Sequence, residues 1–329
     1  MLILSKEEVR QALPMSEMIA ATKDAFAALS SGKAEIPLRS HLTIPPHGGT
    51  SLFMPAYLQD KTGETLAIKI VSIFPHNLDR DLPLIHAAVL VLEADTGRPL
   101  ALLEGGSLTA IRTGAVSGAA TDLLARSDSQ VVGIFGAGVQ SRTQLEAVCT
   151  TRPIQKVFIY DPQENLVADF IEEMAGQGPI PSDLRLAKDP QEASSQADVI
   201  CCATTSTTPV FYDYHLKPGV HINGVGSYTP EMQEIPPETV QRALLVVDSR
   251  QAALSEAGDI IQPIKEGRIK AEHIQAELGE IILGDKPGRV DATQITFFKS
   301  VGNAVQDAAA AQLALENAKK MGLGQHVQF

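Results

Sequence analysis

The chain has 329 residues, of which 44% are hydrophobic and 20% are charged, as is usual for a folded globular protein. This length favours two domains, because a single hydrophobic core stops growing at about 250–300 residues. The formal net charge of −12 disfavours nucleic acid and anionic membranes as partners.

Targeting and metal signals are missing from the sequence pattern. The N-terminal segment MLILSKEEVR lacks the apolar stretch of a signal peptide, and no run of about 20 apolar residues predicts a membrane helix. The three cysteines, Cys149, Cys201 and Cys202, have neither the number nor the spacing of a disulfide framework or a zinc site. We therefore expect a cytoplasmic protein without a metal ion.

The first part of the chain predicts a mixed, largely antiparallel domain. Apolar residues at helical spacing predict one helix over residues 5–31, ended by Gly32. The turn signals that follow predict hairpins between four strands, at Arg39–Ile44, Thr50–Leu58, Glu64–Ile73 and Ala87–Glu93. An alanine-rich helix is then expected at Leu108–Leu124.

From Gln130 onwards, apolar strands alternate with helical patterns. The strands are VVGIF (131–135), KVFIY (156–160), ADVICCAT (197–204), HINGVG (221–226) and LLVVD (244–248). This alternation predicts a parallel sheet with right-handed crossovers. The fold class is therefore α/β, with a doubly wound Rossmann domain at 125–303 and a discontinuous α+β domain at 1–124 and 304–329. The last helix, at about Asn303–Met321, returns to the discontinuous domain.

The segment GIFGAGVQS (133–141) is typical of a dinucleotide-binding turn. Gly136 allows the tight turn out of the strand, Gly138 allows close approach to a pyrophosphate, and Ser141 replaces the usual third glycine with another small residue. Asp161 ends the next strand, 25 positions after Gly136 (161 − 136), where an acidic residue binds the adenosine ribose. The alternative is that Asp161 only caps a turn. The candidate cofactor contacts at this turn are Gly136, Gly138, Val139, Gln140 and Asp161.

Asp161 also bears on the choice of cofactor. A carboxylate at this position repels a 2′-phosphate, and the next residues, PQEN (162–165), contain no arginine or lysine to accept one. We therefore predict NAD(H) in preference to NADP(H).

Further segments identify a family resemblance. They are EGGSLTAIRTGAVSGAATDLLA (104–125), GIFGAGVQSRTQLEAV (133–148), HINGVGSYTPEMQEI (221–235), VVDSRQAALSEAGD (246–259) and ITFFKSVGNAVQDAAAA (295–311). In this order they resemble the ornithine cyclodeaminase/μ-crystallin family over nearly the whole chain. The family contains cyclodeaminases, an archaeal type of alanine dehydrogenase and cyclic-imine reductases. The resemblance implies that the Rossmann domain binds NAD(H) and that the other domain binds substrate and forms a homodimer.

The resemblance also carries over a set of substrate-site residues. Arg39, Lys69 and Arg112 match cations of the family, which suit an α-carboxylate because a guanidinium binds a carboxylate bidentately. His86 matches a position that can bind substrate or carry a proton. The alternatives are a surface position for Arg39, an edge position with the ammonium in solvent for Lys69, a salt bridge between domains for Arg112 and a satisfied core position for His86.

Positions after the later strands complete the candidate site. Ser300 and Val301 resemble the loop that approaches the nicotinamide, and Gly302 there suits close backbone approach to substrate. Thr204 and Val225 are the remaining candidate cofactor contacts.

One departure from the family pattern changes the expected reaction. Tyr228 stands where cyclodeaminases of the family carry an aspartate. A phenol with a reference pKa of about 10 is not a carboxylate base near pH 7, and it does not pair with the side-chain ammonium of ornithine. Tyr228 then lines the pocket or contacts substrate.

These observations predict an NAD(H)-dependent reductase of a C=N bond next to a carboxylate. Its substrate is a cyclic imine such as Δ1-pyrroline-2-carboxylate or an acyclic α-imino acid, with Lys69, His86 and Arg112 as the candidate catalytic residues. The alternatives are an ornithine cyclodeaminase, an alanine dehydrogenase-like enzyme and a non-catalytic NAD(P)H-binding protein.

Overall fold

The computed structural model describes residues 1–61, 63–80 and 82–328. The strands are β1 Leu2–Leu4, β2 Ala34–Glu35, β3 Ser40–Ile44, β4 Gly49–Asp60, β5 Gly63–Ile73, β6 Ile85–Leu92, β7 Pro99–Glu104, β8 Val131–Phe135, β9 Lys156–Tyr160, β10 Leu184–Leu186, β11 Val199–Cys202, β12 His221–Gly224, β13 Leu244–Val247, β14 Ala276–Glu277, β15 Thr296–Lys299 and β16 Gln325–His326. The helices are α1 Lys6–Ala12, α2 Met15–Ser30, α3 Gly105–Leu124, α4 Val139–Thr151, α5 Glu164–Met174, α6 Pro190–Ser195, α7 Pro237–Arg242, α8 Arg250–Glu256, α9 Gly258–Lys265, α10 Leu278–Leu283 and α11 Ala304–Met321. Within the described residues, no helix combines the length and the apolar character needed to cross a membrane.

The chain divides into two compact units, one of Met1–Arg112 with Ala304–Phe329 and one of Thr113–Asn303. The sequence places the first boundary later, between residues 124 and 125. The difference has a packing cause, because the second half of α3 lies against α4. A Cβ atom on Gly114 would lie 2.4 Å from the carbonyl oxygen of Thr143, and Gln144 Nε2 donates to the Thr113 carbonyl.

The first unit contains a mixed sheet. Its strand order is β16-β1-β7-β6-β5-β4-β2, with β3 also paired to β4. β1 and β7 run parallel, whereas the pairs from β3 to β7 are antiparallel, which confirms the predicted hairpins. The short strands β1 and β2 and the strand β7 were not predicted.

The predicted helix over residues 5–31 is wrong in one respect, because it is two helices. Ser5 caps α1 through a reciprocal pair of hydrogen bonds with Glu8, and α1 ends at Ala12. Pro14 then precedes α2 as its N-cap residue. Proline has no N–H and its ring clashes with the carbonyl four residues earlier, so one continuous helix is interrupted here.

The two faces of the first sheet differ in burial. On one face, the in-register residues Met54, Lys69 and Val89 of β4, β5 and β6 are buried, and α11 packs against these strands. Successive side chains of a strand alternate between faces, so the neighbouring register rows point the other way. That second face is apolar and half-buried to exposed, and includes Phe53, Pro55, Ile68, Ile70, Ala88 and Leu90.

The second unit is a parallel sheet with the order β10-β9-β8-β11-β12-β15-β13-β14. This arrangement confirms the predicted α/β class with a Rossmann sheet. The chain order reverses between β8 and β11, so the carboxyl ends of these two strands form the crevice where such sheets bind ligands. The interior strand β15, which carries the buried Phe297 and Phe298, was not predicted as a strand.

Candidate active site

A buried ion-pair cluster lies in the first unit, where β5 and α3 face the start of α11. Asp307 pairs with two cations: Lys69 Nζ lies 2.7 Å from Oδ2, and Arg112 Nε donates to Oδ1 over 3.0 Å. Arg112 Nη1 also donates to Gln306 Oε1 over 2.6 Å. The structure thus brings together two of the predicted cations, Lys69 and Arg112. Their partners, Gln306 and Asp307, both lie in the first turn of α11.

Burial makes this cluster unusual electrostatically. Lys69 and Asp307 are each 2% exposed, so the predicted alternative of a solvent-exposed lysine is wrong. Desolvation lowers the pKa of Lys69 from its ordinary value to about 8, the carboxylate of Asp307 opposes that change, and the charges of Arg112 and Arg39 add to it. Within the Lys69–Asp307–Arg112 triad, two cations share one carboxylate, which leaves a net positive charge suited to an anionic ligand.

The two other residues predicted for this unit differ in placement. Arg39 lies in the segment before β3, is half-buried, and is close enough to Lys69 to affect its pKa. His86 pairs in register with Ser72, three positions along β5 from Lys69. An odd separation along a strand reverses the face, so exposed His86 lies on the opposite face of the sheet from Lys69. The structure therefore does not bring His86 to the cluster, contrary to the grouping that the sequence suggested.

The glycine-rich turn of the second unit has the geometry of an anion site. Gly136 has φ +91°, a conformation that favours glycine, and its N–H donates to the Tyr160 carbonyl. Gly138 begins α4 without a side-chain cap, and a Cβ atom placed on it would meet nothing within 4 Å. Open space beside the uncapped amino end of a 13-residue helix can take a pyrophosphate, so the residues present fit a dinucleotide. Val139 is 62% exposed, whereas Gln140 is half-buried in the first turn.

The side chain of Asp161 faces the glycine-rich turn and stabilises it through hydrogen bonds. Its Oδ2 accepts from the Ala137 N–H and its Oδ1 from the Gln163 N–H. Arg142 approaches the same turn from α4, and its Nη1 donates to the carbonyls of Ala137 and Gly138. Asp161 was alternatively expected only to cap a turn, and capping is part of its role in this structure. Two backbone amides hold its carboxylate at the end of β9.

A second buried carboxylate orders the loop after β15. Asp248, at the end of β13, accepts from Ser300 Oγ and from the N–H groups of Val301 and Gly302 on Oδ2. Gly302 has φ +88°, so this loop conformation requires glycine. Burial raises the pKa of Asp248, and the hydrogen bonds to its carboxylate oppose that rise. The predicted contacts Ser300, Val301 and Gly302 therefore form one turn at the carboxyl edge of the sheet.

The remaining predicted residues follow β11 and β12. Thr204 is half-buried and donates through both its N–H and its hydroxyl to Glu234. Val225 donates its N–H to the Cys202 carbonyl, which keeps the two loops adjacent. Tyr228 is 44% exposed, at the start of the turn that leads to Glu234. All three lie at the same edge of the sheet as Gly136.

Sequence reasoning missed four residues that organise these sites: Gln306, Asp307, Glu234 and Asp248. Asp307 had a usable signal, since a carboxylate in a helix whose neighbours are nearly all buried alanines requires a charged partner. Glu234 and Asp248 lie inside segments that carry the family resemblance but have no distinguishing spacing. Among residues 1–61, 63–80 and 82–328, no group of three His, Cys, Asp or Glu side chains is arranged to hold a metal ion.

Comparison with known proteins gives a consistent set of relatives. The model of the ornithine cyclodeaminase/mu-crystallin family matches residues 1–322. A Δ1-pyrroline-2-carboxylate reductase of Bacillus cereus is 40% identical over the whole of both chains. The structure of Thermococcus litoralis Δ1-pyrroline-2-carboxylate reductase, in complex with NADH and L-proline, superimposes with a TM-score of 0.93 at 44% identity over 99% of this chain and 100% of that one. An archaeal alanine dehydrogenase dimer with bound NAD gives 0.91 at 34% identity over 100% of this chain and 99% of that one.

Proposed function

Because this chain belongs to the ornithine cyclodeaminase/mu-crystallin family, we propose that it is an NAD(H)-dependent reductase of a C=N bond next to a carboxylate. Δ1-pyrroline-2-carboxylate is the proposed substrate and L-proline the product, since full-length relatives carry that activity in their names. The observation that carries the proposal is the buried triad of Lys69, Asp307 and Arg112, whose net positive charge suits a small carboxylate. Acyclic α-imino acids are the second substrate class to be tested.

In this proposal, residues of the first unit bind the substrate and protonate it. The Arg112 guanidinium has five N–H groups, so it can bind a carboxylate while keeping its bonds to Asp307 and Gln306. Arg39 adds a second positive charge near Lys69. With a pKa of about 8, Lys69 is mostly protonated at pH 7 and can give a proton to the imine nitrogen. No proton transfer is assigned to His86, which lies on the other face of the sheet.

The second unit is proposed to bind the cofactor, which when bound supplies the hydride. The amino end of α4 would hold the pyrophosphate beside Gly138, and the carboxylate of Asp161 would accept from the adenosine ribose hydroxyls. A 2′-phosphate there would meet the charge of Asp161, which supports NAD(H) over NADP(H). Thr204, Val225, Ser300 and Val301 remain proposed cofactor contacts, while Tyr228 and Gly302 remain proposed substrate contacts.

Tyr228 supports reduction rather than ammonia elimination. Its phenol, in the place of the cyclodeaminase aspartate, is not a base near neutral pH. The proposed reaction needs no carboxylate at this position, because the proton comes from Lys69.

The protein is further proposed to be a homodimer in the cytoplasm. The second face of the first sheet presents an apolar row through Pro55, Ile68 and Leu90, and Ile70 in the next row is 38% exposed. An apolar sheet face of this kind is typical of a protein–protein interface. The archaeal alanine dehydrogenase relative is a dimer, which supports the same assembly here.

A substrate panel with purified protein tests the proposed function. Δ1-pyrroline-2-carboxylate should give rapid NADH oxidation and one L-proline per NADH consumed, with a higher kcat/KM for NADH than for NADPH. Proline formed from ornithine without net NADH consumption would instead show a cyclodeaminase, and ammonia-dependent oxidation with pyruvate alone would show an alanine dehydrogenase. NADH binding without turnover on any imine would contradict the enzyme assignment.

A further inference from the structure

One fully buried carboxylate, that of Glu234, joins the loops that follow β11 and β12. Its Oε1 accepts from the Thr204 N–H over 2.6 Å and from the Thr204 hydroxyl over 2.9 Å. Its Oε2 accepts from the N–H groups of Gly226 over 2.7 Å and Ser227 over 3.1 Å. Four donors therefore occupy both oxygens, which is about the full accepting capacity of a carboxylate.

The two loops approach each other closely at this point. A Cβ atom on Gly226 would lie 2.3 Å from the Thr204 carbonyl oxygen and 2.4 Å from Glu234 Oε1. Both loops leave the carboxyl ends of adjacent parallel strands, the edge where such sheets bind dinucleotides. Exposed Tyr228 comes directly after the residues that Glu234 holds, so the position of that loop sets the position of its side chain.

A second layer fixes Glu234 itself. Asp259 Oδ1 accepts from the N–H groups of Glu234 and Ile235, over 2.7 and 2.9 Å. The other oxygen of Asp259 lies 3.2 Å from Lys299 Nζ, and both side chains are fully buried. Lys299 ends β15 and precedes the loop of Ser300–Gly302. One chain of contacts thus extends from the loop after β11 to the loop after β15.

Full burial of these charges is costly, which argues that the network does more than add stability. Desolvation raises the pKa of Glu234, with the charge of Lys299 opposing that rise. A buried charged network is often no more stabilising than apolar packing of similar volume. In this network the hydrogen bonds of Glu234 and Asp259 hold the backbone of both loops. What it holds here is the set of loops at the carboxyl edge of the sheet.

We propose that Glu234 is a positioning residue for NAD(H) and substrate binding, because its carboxylate holds the loops 203–206 and 225–229 in one fixed relation. Glu234 acts through the amides of Thr204, Gly226 and Ser227. The inference rests on the proposed function, since it assigns these loops to the cofactor and substrate sites of that reaction.

The variant Glu234→Gln tests this with little change in shape. A glutamine amide keeps one accepting oxygen but turns an NH2 group toward the donors of one loop, which loses its acceptor. The matched control is Asp198→Asn. Asp198 is also a buried carboxylate of this unit and accepts from the N–H groups of Gln130 and Val131, but it precedes β11 at the amino edge of the same sheet.

The measurements are the NADH dissociation constant by fluorescence titration, KM and kcat for the imine, and the thermal midpoint. Glu234→Gln should weaken NADH binding by about tenfold or more and raise KM for the imine, whereas Asp198→Asn should lower the thermal midpoint with NADH affinity unchanged. If Glu234→Gln does not fold, Glu234→Asp keeps the charge but is one methylene too short to reach both loops, and the same loss of affinity is expected.

Three outcomes would contradict the proposal. Unchanged NADH affinity in the folded Glu234 variant, with the wild type binding normally, would overturn this inference alone. Equal losses of affinity in the Glu234 and Asp198 variants would show a general effect of destabilisation, and would overturn it too. Failure of the wild type to bind NADH would overturn the proposed function and this inference together.

Discussion

Replacing Asp307 by asparagine should shift the pH dependence of catalysis, because the carboxylate of Asp307 keeps Lys69 protonated. The Lys69 ammonium lies 2.7 Å from this carboxylate in a site only 2% exposed, and its pKa is about 8. An opposite charge this close typically moves a pKa by about 1–3 pH units. Asp307→Asn should therefore lower the pKa of Lys69 by about 1–3 pH units. If the pKa of Lys69 falls by about 2 units, the protonated fraction of Lys69 at pH 7 falls by about tenfold.

The assay is kcat/KM for reduction of Δ1-pyrroline-2-carboxylate by NADH across the pH range from about 5 to 9.5, which brackets the pKa of Lys69. In the wild type, activity should fall as the pH rises through about 8, since Lys69 then loses the proton that the imine nitrogen needs. In Asp307→Asn the fall should occur about 1–3 pH units lower.

The control for this experiment is Asp24→Asn. It removes a carboxylate at the same 2.7 Å from a lysine, Lys61, but in an exposed pair whose lysine side chain is 70% exposed. Water screens such pairs, so the pH profile should match the wild type. Titration of the imine itself is the same for all three proteins, so a shift found only in Asp307→Asn reports a group of the enzyme. An alkaline limb that stays near pH 8 in Asp307→Asn, in protein that still folds and binds NADH, would refute the assignment of Lys69 as the proton donor.

Three further predictions concern the other features. Gly138→Ala should leave the thermal midpoint unchanged, because its Cβ meets no atom within 4 Å, yet weaken NADH binding by about tenfold; unchanged titrations would contradict the pyrophosphate site. Burial lowers the pKa of His221 to about 3. At a pH below the ordinary pKa of histidine, the unfolded chain therefore binds a proton that the folded chain does not. Stability is thus retained above about pH 6.5 and should fall by about 2 kcal/mol between pH 6.5 and 5, a loss that His221→Gln should lack in urea unfolding at the two pH values. Ile68→Asp should convert the dimer to monomers in sedimentation experiments, with an unchanged dimer contradicting the proposed sheet-face interface.

The sequence alone determined the features that depend on local pattern. The turn at Gly136 and Gly138 was readable because strand, glycines, helix and Asp161 occur within one short stretch whose spacing reflects backbone geometry. The α/β class followed equally from the alternation of apolar strands with helices. Pro14 was the exception, because it interrupts the helix predicted over residues 5–31 although the apolar spacing continues past it.

Tertiary structure decided which of the candidate residues meet. Lys69, Arg112 and Asp307 are far apart in the chain, and only the packing of α11 on the first sheet brings the carboxylate of Asp307 to both cations. Strand register decided the opposite outcome for His86, because a shift of one residue along a strand moves a side chain to the other face. Local pattern therefore determined the fold class and which residues were candidates for the site. Long-range packing and strand register determined which of those residues meet in the site and which charges they carry there.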